Sequence, residues 1–228
     1  MKRVLRTIDK RLSAWLDRET LEDRNAREDA WDFKQTNDLE LLDADPFHAE
    51  ALEAQELLTA DPQAAFRLLL GMAEGGSAWC MNCVAGCYSR GRGVVRNDDK
   101  ALEWRQRSFE AGSTRGLLNY GHSLLRRGNL EDAVRVYRAG AEQDWAPALL
   151  WLANTRARQS GNRKTFREVR PLLERAVEKG SPGARATLAR HMALGRFGVR
   201  EIPSGFRLMW AHIERSRAEW RDERRELG

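Results

Sequence analysis

The sequence predicts an all-α protein, a solenoid of antiparallel helix pairs. Equivalent positions of one repeated pattern occur at Cys80, Gly116, Ala148 and Ala184. They lie 36, 32 and 36 residues apart, and a period in this range is typical of helical repeat arrays. Ala, Leu, Arg and Glu are abundant and only six prolines occur, which favours helices. Alternating runs of Val, Ile and Thr, which would indicate strands, are missing.

Each repeat opens with a small residue, followed by an apolar residue four places on and a second small residue five places on. In the clearest repeat these residues are Cys80, Val84 and Ala85. We expect the small residues to let the two helices of a pair approach closely while the apolar residue fills the groove between them. Gly91 and Gly93 follow at places eleven and thirteen, where a left-handed backbone would end the first helix.

The array is predicted to occupy residues 47–212, as about five helix pairs. Its first pair contains the turn Asp61-Pro62, and an Asp cap followed by proline is a common helix start. Residues 213–228 are expected to form a charged capping helix, and residues 1–46 an N-terminal helix and an acidic connection that is mobile or poorly packed. The N-terminal helix is expected to cap the array rather than lie on a membrane. Its apolar stripe comprises Leu5, Ile8, Leu12, Trp15 and Leu16.

The composition indicates a folded chain with a mixed surface. Of the 228 residues 42% are hydrophobic, and the net charge of +5 is the difference between 39 basic and 34 acidic residues. Because basic and acidic residues alternate along the chain, nucleic acid is the less favoured partner. No apolar run is long enough to cross a bilayer, and charges interrupt the segment where a signal peptide would need an apolar core. A cytoplasmic location is therefore expected.

Three cysteines, Cys80, Cys83 and Cys87, share one predicted helix face. Cys80 and Cys87 would lie about 10 Å apart along an intact helix, too far to bind one zinc ion or to form a disulfide. Because Cys80 also takes the small-residue position of its repeat, we interpret it as a packing residue; a site using Cys80, Cys83 and distant ligands stays open. With no phosphate loop, nucleophile motif or catalytic carboxylate pair, the sequence predicts no metal, no cofactor and no enzymatic activity.

One repeat carries a recognisable set of motif residues. They are Val84-Ala85, Tyr88, Gly91, Gly93-Val94, Asp98, Lys100-Ala101, Trp104 and Gly112. This run resembles the Sel-1-like repeat (SLR), a relative of the tetratricopeptide repeat with a longer loop between its helices, and residues 113–212 match more loosely. The resemblance implies a right-handed superhelix that binds proteins or peptides as an adaptor, regulator or assembly factor. Some members of the family are bacterial immunity proteins that neutralise a toxin.

A basic row is predicted on the concave groove, if first helices line it as in tetratricopeptide arrays. The expected groove residues are Arg90, Arg126 and Arg158 in one row, with Arg115, His122, Asn154, Arg190 and Trp79; for Trp79, packing between repeats is the favoured alternative. Guanidinium groups bind carboxylates through two hydrogen bonds. The predicted partner is therefore an acidic peptide, a C-terminal carboxylate or an acidic protein face. A general signalling or assembly adaptor and an RNA-binding repeat protein remain alternatives.

Overall fold

The computed structural model describes residues 31–32 and 34–226, and all regular secondary structure within them is helical. This confirms the all-α prediction. The helices are α1 Asp38–Asp43, α2 His48–Ala60, α3 Pro62–Glu74, α4 Ala78–Arg90, α5 Asp98–Glu110, α6 Thr114–Arg126, α7 Leu130–Glu142, α8 Ala146–Gln159, α9 Arg163–Glu178, α10 Pro182–Ala193 and α11 Ile202–Glu226, with a 3-10 turn at Val199–Glu201. Within the described residues, no helix combines the length and the apolar character that a membrane span requires.

The described chain divides into two compact units. The first unit is Gln35–Asp144, and the second contains residues 31–32, 34 and 145–226. In the first unit each helix from α2 to α7 packs against the next one along the chain, and in the second unit α8 to α11 do the same. Each unit is therefore a stack of helix pairs in sequence order, which is the arrangement of a repeat array.

The recurring small residue has a fixed place in three of the repeats, as the third residue of a serine-capped helix. The backbone N–H groups of Cys80, Gly116 and Ala184 donate to the hydroxyls of Ser77, Ser113 and Ser181, respectively. These serines satisfy an N–H group that has no partner within the helix. The cap and the small residue therefore recur together because both belong to the same buried helix start.

The small residues make the close helix approach that the pattern predicts. A Cβ atom added to Gly116 would lie 2.6 Å from the backbone nitrogen of Phe109, and one added to Gly121 would lie 2.5 Å from the ring of Tyr137. Contacts that short require the neighbouring atoms to move. In the second helix pair the equivalent residues are fully buried, with Cys80 0% and Ala85 1% exposed.

Gly112 and Gly180 end second helices with a left-handed backbone, with φ of +87° and +90°. Nothing lies within 4 Å of a Cβ atom added at either position, so a substitution there incurs a backbone penalty without a clash. We expect Gly112→Val or Gly180→Val to lower the free energy of unfolding by about 1–2 kcal/mol. Thermal and denaturant unfolding would measure it, with Gly71→Ala in the exposed interior of α3 as a control expected to stabilise. An unchanged midpoint would refute this turn assignment.

The structure describes the two ends of the array only in part. The predicted N-terminal helix at Leu5–Leu16 lies outside the described residues. The described part of the acidic connection is held in place, because the Asn37 side chain accepts from Thr114 and donates to Gly112, and Leu42 of α1 is only 5% exposed. Residues 213–226 are the continuation of α11, since no glycine or proline interrupts the chain there.

Candidate anion-binding cavity

A cavity of about 440 Å³ opens in the first unit and is lined mainly by the first helices of three successive pairs, α2, α4 and α6. Its volume falls in the range of small-ligand sites. Residues Gln55, Leu58 and Thr59 come from α2, Trp79, Asn82, Cys83, Gly86, Cys87, Ser89 and Arg90 from α4, Arg92 from the following loop, Arg105 from α5, and Arg115 and Asn119 from α6.

Positive charge dominates the cavity lining. Four of the lining residues are arginines, Arg90, Arg92, Arg105 and Arg115, and none is Asp or Glu. Charges near a protein surface interact through a lower effective dielectric than in water, so cations gathered around a cleft attract an anion more strongly than dispersed ones. The lining is therefore suited to a carboxylate or another anion.

Arg105 is held at the cavity by a shared serine. Its Nη1 donates to the Ser123 hydroxyl over 2.8 Å, the Nη2 of Arg126 donates to the same oxygen over 3.2 Å, and Ser123 donates to the Asn119 carbonyl. Burial, and then the positive charges of Arg126 and Arg90, lower the pKa of Arg105 to about 10. The guanidinium stays charged at neutral pH, but its charged form is destabilised. A bound anion would offset that cost.

His122, one of the predicted groove residues, does not line this cavity. Its ring packs beside Tyr137, with centroids 6.1 Å apart, and its Nε2 is buried. Burial, followed by the charges of Arg126 and Arg105, lowers the pKa of His122 to about 4. The ring is thus neutral at physiological pH. The physical reason for the difference is that Tyr137 of α7 fills the space beside Gly121, where the ring of His122 can pack against it.

Three of the other predicted groove residues come together at the cavity, namely Trp79, Arg90 and Arg115. Trp79 is only 7% exposed and belongs to the hydrophobic core. Its main role is therefore packing between helices, which was the favoured alternative for this residue. Arg126 is not a lining residue but contacts Ser123 beside Arg105. Asn154, Arg158 and Arg190 belong to the second unit, where Arg158 and Arg190 are exposed and Asn154 is half-buried.

Arg105 is the cavity residue that the sequence did not identify. It follows Trp104 on a second helix, whereas the predicted rows included first helices only. A signal was present in the sequence, because Arg105 directly follows the motif tryptophan Trp104. Only the packing of α5 against α4 and α6 brings the guanidinium to the cavity.

The cysteines fit a packing role. Cys80 is fully buried, as the small-residue interpretation predicted, and burial raises the pKa of its thiol to about 11. Burial also raises the pKa of Cys87, against the opposing effect of Arg92 and Arg90. Both thiols are therefore protonated and unreactive at neutral pH. Among the described residues, no three or more His, Cys, Asp or Glu side chains are grouped so that they could hold a metal ion.

The stacking of successive helix pairs defines the chain as a helical repeat protein. Similar solved structures show which kind of repeat it contains. A Sel1 repeat protein from Oxalobacter formigenes is 20% identical over 72% of this chain and 69% of its own, with a TM-score of 0.59. A protective antigen of uropathogenic Escherichia coli with an SLR fold is 21% identical over 66% of this chain, with a TM-score of 0.52. The match spans 34% of the antigen's chain. The chain therefore has the Sel-1-like repeat fold.

Other comparisons add no functional information. An immunity protein from Pseudomonas aeruginosa is 16% identical over 72% of this chain and 81% of its own, but the TM-score is 0.34, and no conclusion about function rests on that likeness. No family model and no curated protein matches the sequence.

Proposed function

We propose that this protein is a non-enzymatic interaction scaffold that binds an acidic segment of a protein partner in the arginine-lined cavity of its first unit. The observation that carries the proposal is the lining itself, which holds four arginines and no carboxylate. The net charge is only +5, so the attraction for an acidic partner is local to this surface and is not a property of the whole chain. No cofactor is part of the proposal.

The fixed position and partial desolvation of Arg105 support specific binding over a diffuse electrostatic attraction. Because its guanidinium is partly desolvated and its position is set by Ser123, an ion pair formed there is screened less than one on the open surface. Asn82 and Asn119 also line the cavity, and their amide groups are of the type that pairs with a peptide backbone. Solenoids commonly present such extended surfaces to partners.

The chemistry of the lining supports a binding role over catalysis. It contains neither a histidine nor a carboxylate that could act as a general base. Its Cys87 thiol has a raised pKa and would be a poor nucleophile. Apart from the Cys83 thiol, the polar lining groups that remain are cations, amides and hydroxyls, which bind and orient.

We propose an immunity or antagonist role as the sharper form of this function, with a general adaptor as the alternative. A repeat protein that covers an acidic face of an enzyme would block it without any chemistry of its own. The identity of the captured partner separates the two roles: a toxin or secreted effector supports the antagonist, and a signalling or envelope-assembly protein supports the adaptor.

A pull-down with charge-reversal variants tests the proposal. We expect the double variant Arg90→Glu/Arg115→Glu to retain less than a tenth of the partner captured by the wild-type protein, because it reverses the charge of two arginines that line the cavity. Quantitative mass spectrometry would measure the capture.

Arg67→Glu/Arg138→Glu is the matched control, since it makes the same charge change on two exposed residues, of α3 and α7, that do not line the cavity. It should capture the wild-type amount. Equal capture by the wild-type protein and Arg90→Glu/Arg115→Glu would contradict the proposal. Salt-sensitive copurification of nucleic acid in place of protein would contradict it in favour of RNA binding.

A further inference from the structure

Gly86 lies in the middle of α4 and lines the cavity. It is the sixth residue after Cys80, and at the matching position the three later repeats have His122, Asn154 and Arg190. One repeat of the array therefore lacks the side chain that the others place there. The cavity lies at this gap.

Neither the backbone nor the packing requires glycine at this position. Gly86 lies within a regular helix and does not have a positive φ. The nearest atom to an added Cβ is Nη1 of Arg90 at 3.4 Å, an ordinary contact with the end of a flexible side chain. Gly116 and Gly121, by contrast, leave no room for a Cβ atom. Because glycine is a poor helix former, its presence at 86 lowers helix stability and provides space.

The space beside Gly86 has an apolar part and a cationic part. Leu58, Trp79 and Cys83 supply apolar surface to the lining. Nη1 of Arg90 lies 3.4 Å from the position that a Cβ atom of residue 86 would take. Positive charge therefore borders the cavity space beside Gly86. A ligand that fills both parts must carry an anionic group next to an apolar one.

We propose that the space beside Gly86 is a socket for an apolar side chain of the partner, adjacent in the partner's sequence to an Asp or Glu that the arginines bind. This inference rests on the proposed function and names the feature that the cavity recognises. An apolar anchor in a desolvated pocket, flanked by a charge pair, is the usual form of an interface hot spot. The arginines alone would bind any acidic segment, whereas the socket restricts binding to segments in which an apolar residue stands next to the Asp or Glu.

Capped hexapeptides titrated into the wild-type protein, followed by NMR, test the socket. The probes are Gly-Gly-Glu-Leu-Gly-Gly, its Leu-Glu isomer, the corresponding Glu-Ser peptide and the neutral Gln-Leu peptide. We expect the better of the two Glu/Leu peptides to bind at least tenfold tighter than the Glu-Ser and Gln-Leu peptides, because it alone buries an apolar side chain and pairs a charge.

Two variants then localise the effect. Gly86→Leu fills the socket and removes no arginine, although the flexible end of Arg90, 3.4 Å from the added Cβ, has to turn aside. The advantage of Leu over Ser should therefore disappear while the thermal midpoint stays at or above the wild-type value. Gly86→Ala raises helix propensity without filling the space and should keep most of the advantage.

The outcomes distinguish the two proposals. Equal affinity of the wild-type protein for the Glu/Leu and Glu-Ser peptides would overturn the socket and leave the acidic partner in place. An undiminished Leu advantage in folded Gly86→Leu would also overturn it. Failure of all the acidic peptides to shift resonances of the cavity residues would overturn the proposed function together with the socket.

Discussion

Gly93→Ala is expected to destabilise the first unit by about 3–5 kcal/mol, because backbone strain and a clash act at the same residue. Gly93 has a φ of +72°, and an added Cβ atom would lie 1.8 Å from the Pro62 carbonyl oxygen and 2.4 Å from its carbon. Both atoms belong to backbone at the start of α3. They cannot move aside as a side-chain end could, so the loop after α4 would have to leave its place.

Gly91→Ala is the matched control. Its φ of +68° is almost the same, but the nearest atoms to an added Cβ lie 3.5 Å away at Arg96. Only the backbone penalty of about 1–2 kcal/mol applies there. Denaturant unfolding of the two variants measures the difference, and equal destabilisation would show that the contact with Pro62 is not what requires glycine at position 93.

Arg105→Glu is expected to weaken partner binding by about 100-fold, the effect of losing a partly desolvated charge pair at an interface. Glu would place a negative charge where the Ser123 hydroxyl now accepts from a guanidinium, so the cavity would repel the anion that it attracts. Calorimetric titration with the captured partner measures the affinity.

Arg105→Gln separates charge from packing in this test, because it keeps a polar side chain of similar reach without the charge. Its affinity should fall between those of the wild-type protein and Arg105→Glu, and Arg138→Glu should bind as the wild-type does. If Arg105→Glu folds and binds normally, the cavity is not the partner site.

The repeat pattern was sufficient to predict the helix pairs because it is local. Small residues such as Gly116 and Gly121, together with the glycines that end second helices, are determined by contacts within a pair or between adjacent helices. The same period aligned Arg90 with Arg126, and the structure places both near Arg105. Short-range periodicity thus predicts both the stack and part of the basic surface.

What the sequence did not predict depends on packing between helices. Arg105 reaches the cavity from a second helix, and His122 packs beside Tyr137 of α7 and does not line the cavity. Neither outcome can be derived from spacing along one helix. Both require the distances between neighbouring helices, which the side chains at their contacts set.

The division into two units has a sequence signal that is visible in retrospect. A Gly-Ser pair ends a second helix and caps the next first helix at 76–77, 112–113 and 180–181. At the boundary between the units the pair is Asp144-Trp145, in which Asp144 has a φ of +56° and Trp145 makes no side-chain cap. A positive φ costs more for Asp than for Gly, so this turn is the least regular of the series.

Photo-crosslinking from the cavity tests most directly whether the partner binds there. Thr59 is an exposed lining residue, so a photoreactive amino acid can replace it without disturbing the core, and Arg138 offers an equally exposed control position on α7. We expect the residue at 59 to crosslink to a partner segment containing Asp or Glu and the residue at 138 to give no crosslink. Crosslinking from 138 with none from 59 would contradict partner binding at the cavity.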